Sequence, residues 1–181
     1  MMRWLSALSP RARLFLLGCP AFALLAASLA LQSWENLHPC PLCIFQRFLY
    51  MLFGVVAFLG AALPGQGRGK TSVFAALLAS VALAGLSTAI YQTLMQARPD
   101  LVPECSYTNP GPIEQFVNWI GAYALSSPTL SDLFLATGTC DSQEWAFLGL
   151  SMPNWSAICF LAFLALSVWL TGWLAGRTGR R

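Results

Sequence analysis

Four of the six cysteines stand where thiol chemistry is possible, and their spacing sorts them into two unlike pairs. Cys40-Pro41-Leu42-Cys43 closes a very short ring when oxidised. That arrangement belongs to strained, exchangeable disulfides with depressed thiol pKa values rather than to inert staples. Cys105 and Cys140 would close a much longer loop, and a long-loop bridge stabilises by restricting the unfolded chain. Taken alone, the second pair reads as a structural staple. Cys19 and Cys159 lie inside long apolar stretches, where free cysteine acts as a small hydrophobe, so packing is expected of both.

The surroundings of the first pair suggest electron transfer. Cys43 opens an apolar helix, whose N-terminal partial positive charge favours a thiolate. Arg47 follows on the same face, one turn deeper. A cation at that position is not called for by topology, which makes it a functional candidate; the alternative is a long side chain snorkelling to the headgroups. A cation, a thiolate and the membrane interface in one place describe a site for a lipid-soluble quinone. Cys40, between Pro39 and Pro41, is expected to be the more mobile and accessible sulfur. It is therefore assigned to exchange with the second pair, and Cys43 to the quinone end. No metal site is expected, because an oxidising compartment competes with zinc for thiols. Ile44 stands where covalent haem attachment needs histidine, and His38, the sole histidine, is expected to be exposed.

The elements that carry these residues must be membrane helices. The chain is 57% hydrophobic and 9% charged, outside the range of soluble domains. Apolar stretches at about 14–32, 44–63, 72–95 and 155–174 are long enough to cross a bilayer. They lack the alternation of barrel strands, so one all-α membrane domain over residues 1–181, a four-transmembrane-helix bundle, is predicted. Arg3, Arg11 and Arg13 precede the first span, Arg68 and Lys70 lie between the second and third, and Arg177, Arg180 and Arg181 follow the fourth. Both termini are then cytoplasmic. All seven acidic residues fall in the two outer loops, about 33–43 and 96–154. Ser28-Leu29-Ala30 has the look of a processing site, but the apolar stretch exceeds a usual signal core, so the first span is expected to be retained.

With these features in place, the chain resembles the disulfide bond formation protein B family. The resemblance is carried by Pro39-Cys40-Pro41-Leu42-Cys43 with Gln46-Arg47, by Pro103-Glu104-Cys105, by Ala136-Thr137-Gly138-Thr139-Cys140, and by the run Trp145 to Trp155. It implies that Cys105 and Cys140 are redox-active, which replaces the staple reading. They would oxidise a soluble periplasmic thiol oxidase of the disulfide bond formation protein A type (DsbA-like), with Cys105 forming the mixed disulfide. Electrons would pass to Cys40 and Cys43 through a transient Cys40–Cys140 bridge, leaving Cys43 as a thiolate facing the quinone. The partner is itself a strong oxidant, at about −120 mV, so a quinone must provide the terminal pull. The resemblance implies cofactor contacts at Arg47, Met152, Trp155 and Gln92, with ubiquinone or menaquinone as acceptor. Gln46 stands where some relatives carry an acidic residue.

The second outer loop is too long to be a mere connector. Ile113, Phe116, Val117 and Ile120 recur at helical spacing after Pro112 and Glu114, with Trp119 and Tyr123 broadening the apolar face. This predicts a short helix on the outer leaflet, holding the loop near the first pair; a partner-binding helix is the alternative. The segment near Pro103-Glu104-Cys105-Ser106 is expected to meet the partner in extended form. The lipid bilayer is the other partner, and no nucleic acid is expected. Two rival readings are a vitamin K epoxide reductase-like oxidoreductase, which places its C-x-x-C late in the bundle, and a membrane scaffold with two structural disulfides.

Overall fold

Helix α1 (Pro10–Glu35) starts where Ser9 caps it: the Ser9 hydroxyl accepts the Ala12 N–H at 3.3 Å, and Pro10 suits a first turn that needs no donor. It stops at Asn36, whose left-handed backbone (φ 51°) lets its N–H close on the Gln32 carbonyl. Helix α2 (Pro41–Ala62) begins three residues before the apolar stretch at 44. Cys40 is its N-cap and Pro41 its first residue, so the C-x-x-C motif forms the helix start itself. Helix α3 (Arg68–Ala97) and helix α5 (Met152–Gly176) complete the long elements, with the short α4 (Pro112–Trp119) between them.

The computed structural model describes residues 9–63, 68–98, 111–124, 136, 138, 140 and 145–176. Cys105 with its flanking Pro103, Glu104 and Ser106, the arginines Arg3, Arg177, Arg180 and Arg181, and the Tyr123 side chain lie outside the described set.

Among the described residues, four helices are long and apolar enough to cross a membrane. They turn large side chains such as Leu59, Val73, Leu83, Ile90, Leu161 and Val168 outward, an apolar surface that water would not tolerate and lipid does. The inner face packs by aromatic stacking. Tyr50 lies 4.3 Å from Phe160 and Phe53 lies 4.5 Å from Phe163, centroid to centroid, joining α2 to α5. Gly85 on α3 makes room for the same Phe160: a Cβ there would stand 2.3 Å from the ring. Small residues at such crossings let membrane helices approach closely. Helix α1 packs on α2, α2 on α3, and α3 on α5. Arg11 of α1 reaches the Leu63 carbonyl just past α2 at 3.4 Å, which ties the start of one helix to the end of the next.

One expectation needs correcting here. Cys19 is exposed on the outer face of α1 rather than packed, because the stripe that meets α2 runs through Leu14, Leu17, Gly18 and Ala21. Arg13, at the start of the same helix, is 4% exposed, with its guanidinium 5.8 Å from the centre of the Trp169 ring.

The predicted loop helix is α4. Glu114 accepts the Gly111 N–H at 2.7 Å, and Phe116 meets Phe45 and Phe48 of α2 edge-on. Val117 is buried while Trp119 is exposed, so α4 has one face on the bundle and one free. A feature not anticipated is the β-hairpin of β1 (Ala146–Phe147) and β2 (Leu150–Ser151), pairing Ala146 with Ser151. Its two-residue turn has both central residues at positive φ, Leu148 at 53° and Gly149 at 77°, which matches the twist of the strands.

Candidate active site

The first cysteine pair sits at the meeting point of α2, α3 and the second loop. Cys40 and Cys43 have sulfurs 3.1 Å apart, and the Cys40 sulfur accepts the Cys43 N–H at 3.4 Å as the helix cap. A sulfur N-cap is a consequence of the ring size: Pro41 and Leu42 alone separate the cap from the residue whose N–H it serves. Gln92 of α3 donates its amide to both sulfurs, at 3.3 Å to Cys40 and 3.1 Å to Cys43. Its orientation is set from behind, because Gln46 donates to the Gln92 carbonyl oxygen at 2.8 Å. Both glutamines are buried, so this chain of amides is shielded from water.

The two sulfurs face different surroundings. Cys40 is 3% exposed and packs in a cluster with Leu42, Met95 and Cys140, with Ile113 of α4 against it. The greater accessibility expected for Cys40 is therefore wrong. The prolines that deny it backbone donors also hold it in place, and the second loop covers it. Hydrogen bonding with the Cys140 thiol, opposed by the contact with Cys43 and reinforced by burial, pushes the Cys40 thiol up to about 12. The depressed value expected of a short-ring cysteine does not extend to it.

Cys43 is half-buried and opens into a cleft of about 180 Å³. Arg47, Tyr50, Met152, Trp155 and Ser156 line the same cleft, as does Trp145. Arg47 is 4% exposed, so it does not snorkel. It donates to Gln32 Oε1 and, at 3.4 Å, to the Ser28 carbonyl, both on α1. Trp155 is held by its indole N–H on the Phe147 carbonyl at 3.1 Å, which fixes the hairpin against the start of α5. Asn154 and Ser151 extend that anchorage to Gln96 and Thr93 at the end of α3. The run from Trp145 to Trp155 is thus a wall of the cleft with its own bracing.

A match to the family model described as disulfide bond formation protein DsbB covers residues 10–170, from the first helix through the cleft wall. This chain belongs to the disulfide bond formation protein B family. Among relatives named disulfide bond formation protein B, that of Dechloromonas aromatica (strain RCB) is 46% identical over 85% of this chain and 87% of its own. Those of an Azoarcus species and of Methylococcus capsulatus are 40% and 41% identical, over 82% and 86% of this chain and 84% and 89% of theirs. The four-helix membrane architecture is that of the disulfide bond formation protein B family.

Of the residues singled out in the sequence, Cys40, Cys43 and Cys140 come together, and Arg47, Met152 and Trp155 share one cleft with Cys43. Gln92 stands apart from the cleft lining, behind the sulfurs. Cys105 lies outside the described residues. Sequence reasoning missed Gln32 and Ser28 as partners of Arg47, and Tyr50, Ser156 and Trp145 as lining. It also missed the Gln46–Gln92 link, although two glutamines inside apolar spans were a signal for it.

Proposed function

We propose that this chain is a thiol:quinone oxidoreductase of the bacterial inner membrane, with both termini cytoplasmic. It reoxidises a DsbA-like periplasmic dithiol oxidase and delivers the electrons to ubiquinone or menaquinone, supporting disulfide bond formation. The observation that carries the reading is the division of labour at the first pair. Cys40 is covered by Cys140, while Cys43 opens, beside a buried guanidinium, into an apolar cleft between the long helices.

The residues present fit a quinone: an apolar, aromatic-walled cleft with one cation suited to a carbonyl oxygen, next to a sulfur. Arg47, Met152 and Trp155 would hold it. When bound, a quinone supplies a sink for two electrons and two protons.

The protein's own steps are thiol–disulfide exchanges, which move electron pairs without net oxidation until that sink is reached. A partner thiolate attacks the Cys105–Cys140 disulfide at Cys105 and releases Cys140. The Cys140 thiolate attacks Cys40 of the Cys40–Cys43 disulfide, forming the Cys40–Cys140 bond and releasing Cys43 as the thiolate. Gln92, donating to the Cys43 sulfur, stabilises that leaving group, since hydrogen bonds to a charged acceptor are the stronger kind. The second partner thiol then resolves the mixed disulfide at Cys105, which frees the oxidised partner. Finally the Cys105 thiolate attacks Cys140, which breaks the Cys40–Cys140 bond, restores the second pair and releases Cys40 as the thiolate, so that the electron pair rests on Cys40 and Cys43.

Steady-state turnover with reduced partner and water-soluble analogues of both quinones tests the cleft. Arg47→Leu is expected to raise the KM for quinone at least tenfold and leave the KM for the partner unchanged. An unchanged quinone KM would remove Arg47 from the site and with it the cleft assignment.

A further inference from the structure

The relay needs Cys140 to reach Cys40 rather than Cys43, and a backbone contact explains how. Gly138 donates its N–H to the Pro39 carbonyl at 3.2 Å, two residues before Cys140 and one before Cys40. A Cβ on Gly138 would lie 2.0 Å from the His38 carbonyl oxygen and 2.9 Å from its carbon. Real Cβ atoms do not come that close, so any other residue forces one side to move.

The His38 side is the stiffer of the two. Pro39 and Pro41 have fixed φ, and His38 and Cys40 are each restricted by the proline that follows. Cys40 is further held as the N-cap of α2. The movement therefore falls on the segment that carries Cys140, which is 1% exposed and packed beside Cys40 and Met95.

We propose that Gly138 is a positioning residue for the relay: without a side chain it docks on His38-Pro39 and directs Cys140 onto Cys40 instead of Cys43. This rests on the functional reading above. The step it governs is the attack of the Cys140 thiolate on Cys40, in which the Cys40–Cys140 bond forms, the Cys40–Cys43 bond breaks and Cys43 keeps the electron pair. Restoring a Cβ contact from 2.0 Å to 3.0 Å needs a shift of about 1 Å, and a misplacement of that size costs on the order of 100-fold in a reaction set by orientation.

The test uses the full chain in lipid nanodiscs with Cys105→Ser, so that Cys140 cannot return to its own pair. Samples oxidised at the first pair are acid-quenched over time, alkylated, and the Cys40–Cys140 and Cys43–Cys140 bonds counted by peptide mass spectrometry. With Gly138 present, Cys40–Cys140 is expected to exceed Cys43–Cys140 at least tenfold. Gly138→Ala is expected to slow its formation 10- to 100-fold and to erase the preference for Cys40. In a companion Cys105→Ser, Cys140→Ser chain, the glutathione equilibrium of the Cys40–Cys43 bond is expected to be the same with and without the Gly138→Ala substitution. Equal rates and equal partitioning in Gly138→Ala would overturn the proposal while leaving the oxidoreductase reading intact. A shifted Cys40–Cys43 equilibrium would overturn it too, since the glycine would then act through general packing. Absence of Cys40–Cys140 bond formation with Gly138 present would sink both.

Discussion

Gln92 and Cys40 carry the chemistry that was hardest to read in advance. Replacing Gln92 with Leu keeps the volume and removes the donor to both sulfurs, and the lost hydrogen bond to a charged sulfur is worth about 1.5–3 kcal/mol. Quinol formation is therefore expected to slow at least tenfold in Gln92→Leu, measured in single turnover so that quinone binding is not limiting. Cys40 gives a pH signature. With its thiol pushed up to about 12, the thiolate fraction of the reduced chain rises tenfold per pH unit through the neutral and mildly alkaline range. Alkylation of Cys40 should climb from pH 7 to 10 without a plateau. Cys140→Ala removes the largest influence holding that value up, so more thiolate is present at each pH and the profile should move to lower pH; an unmoved profile would contradict the contact between the two thiols. The clustering of Cys40, Cys43 and Arg47 was legible because close cysteine spacing and a misplaced cation are local signals, whereas Cys140 was brought to them only by the family resemblance. The burial of Cys40 was not legible, because Met95, Ile113 and Cys140, which help cover it, lie on distant parts of the chain.

Among the elements, the helices follow from apolar length and their caps, and α4 from its spacing. The hairpin escaped notice because its strands are two residues each and its turn places a leucine at positive φ, against the usual preference for Asn or Gly. Helix contacts were equally hidden: every span is apolar all round, so periodicity does not say which face meets a neighbour. The α3–α5 crossing illustrates the consequence. Phe160 is pinned between Gly85 on one side and Tyr50 on the other, so it cannot swing away from an added methyl group. Gly85→Ala is expected to destabilise the bundle by about 1–3 kcal/mol, the usual range for overpacking. Thermal unfolding in detergent with quinone-free protein reads this directly, and an unchanged midpoint would show the crossing to be looser than described.

At the scale of the whole molecule, the proposed arrangement in the membrane rests on the sorting of charge. Eight of the ten arginines and lysines flank the span ends proposed to be cytoplasmic, Arg47 and Arg98 being the exceptions, and all seven acidic residues fall in the two proposed outer loops. A fluorescent protein fused after Arg181 should therefore be bright, and alkaline phosphatase fused within the second loop should be active. The opposite pattern would put the cysteine pairs in the reducing compartment, where the relay has no purpose. The central claim is that electrons leave through Cys43, and it is tested most directly by anaerobic mixing of the purified chain with reduced partner and a soluble quinone. Quinol formation by the wild type that is lost in Cys43→Ala is the predicted result; quinol formation that survives in Cys43→Ala, or its absence from the wild type with either quinone, would contradict the account.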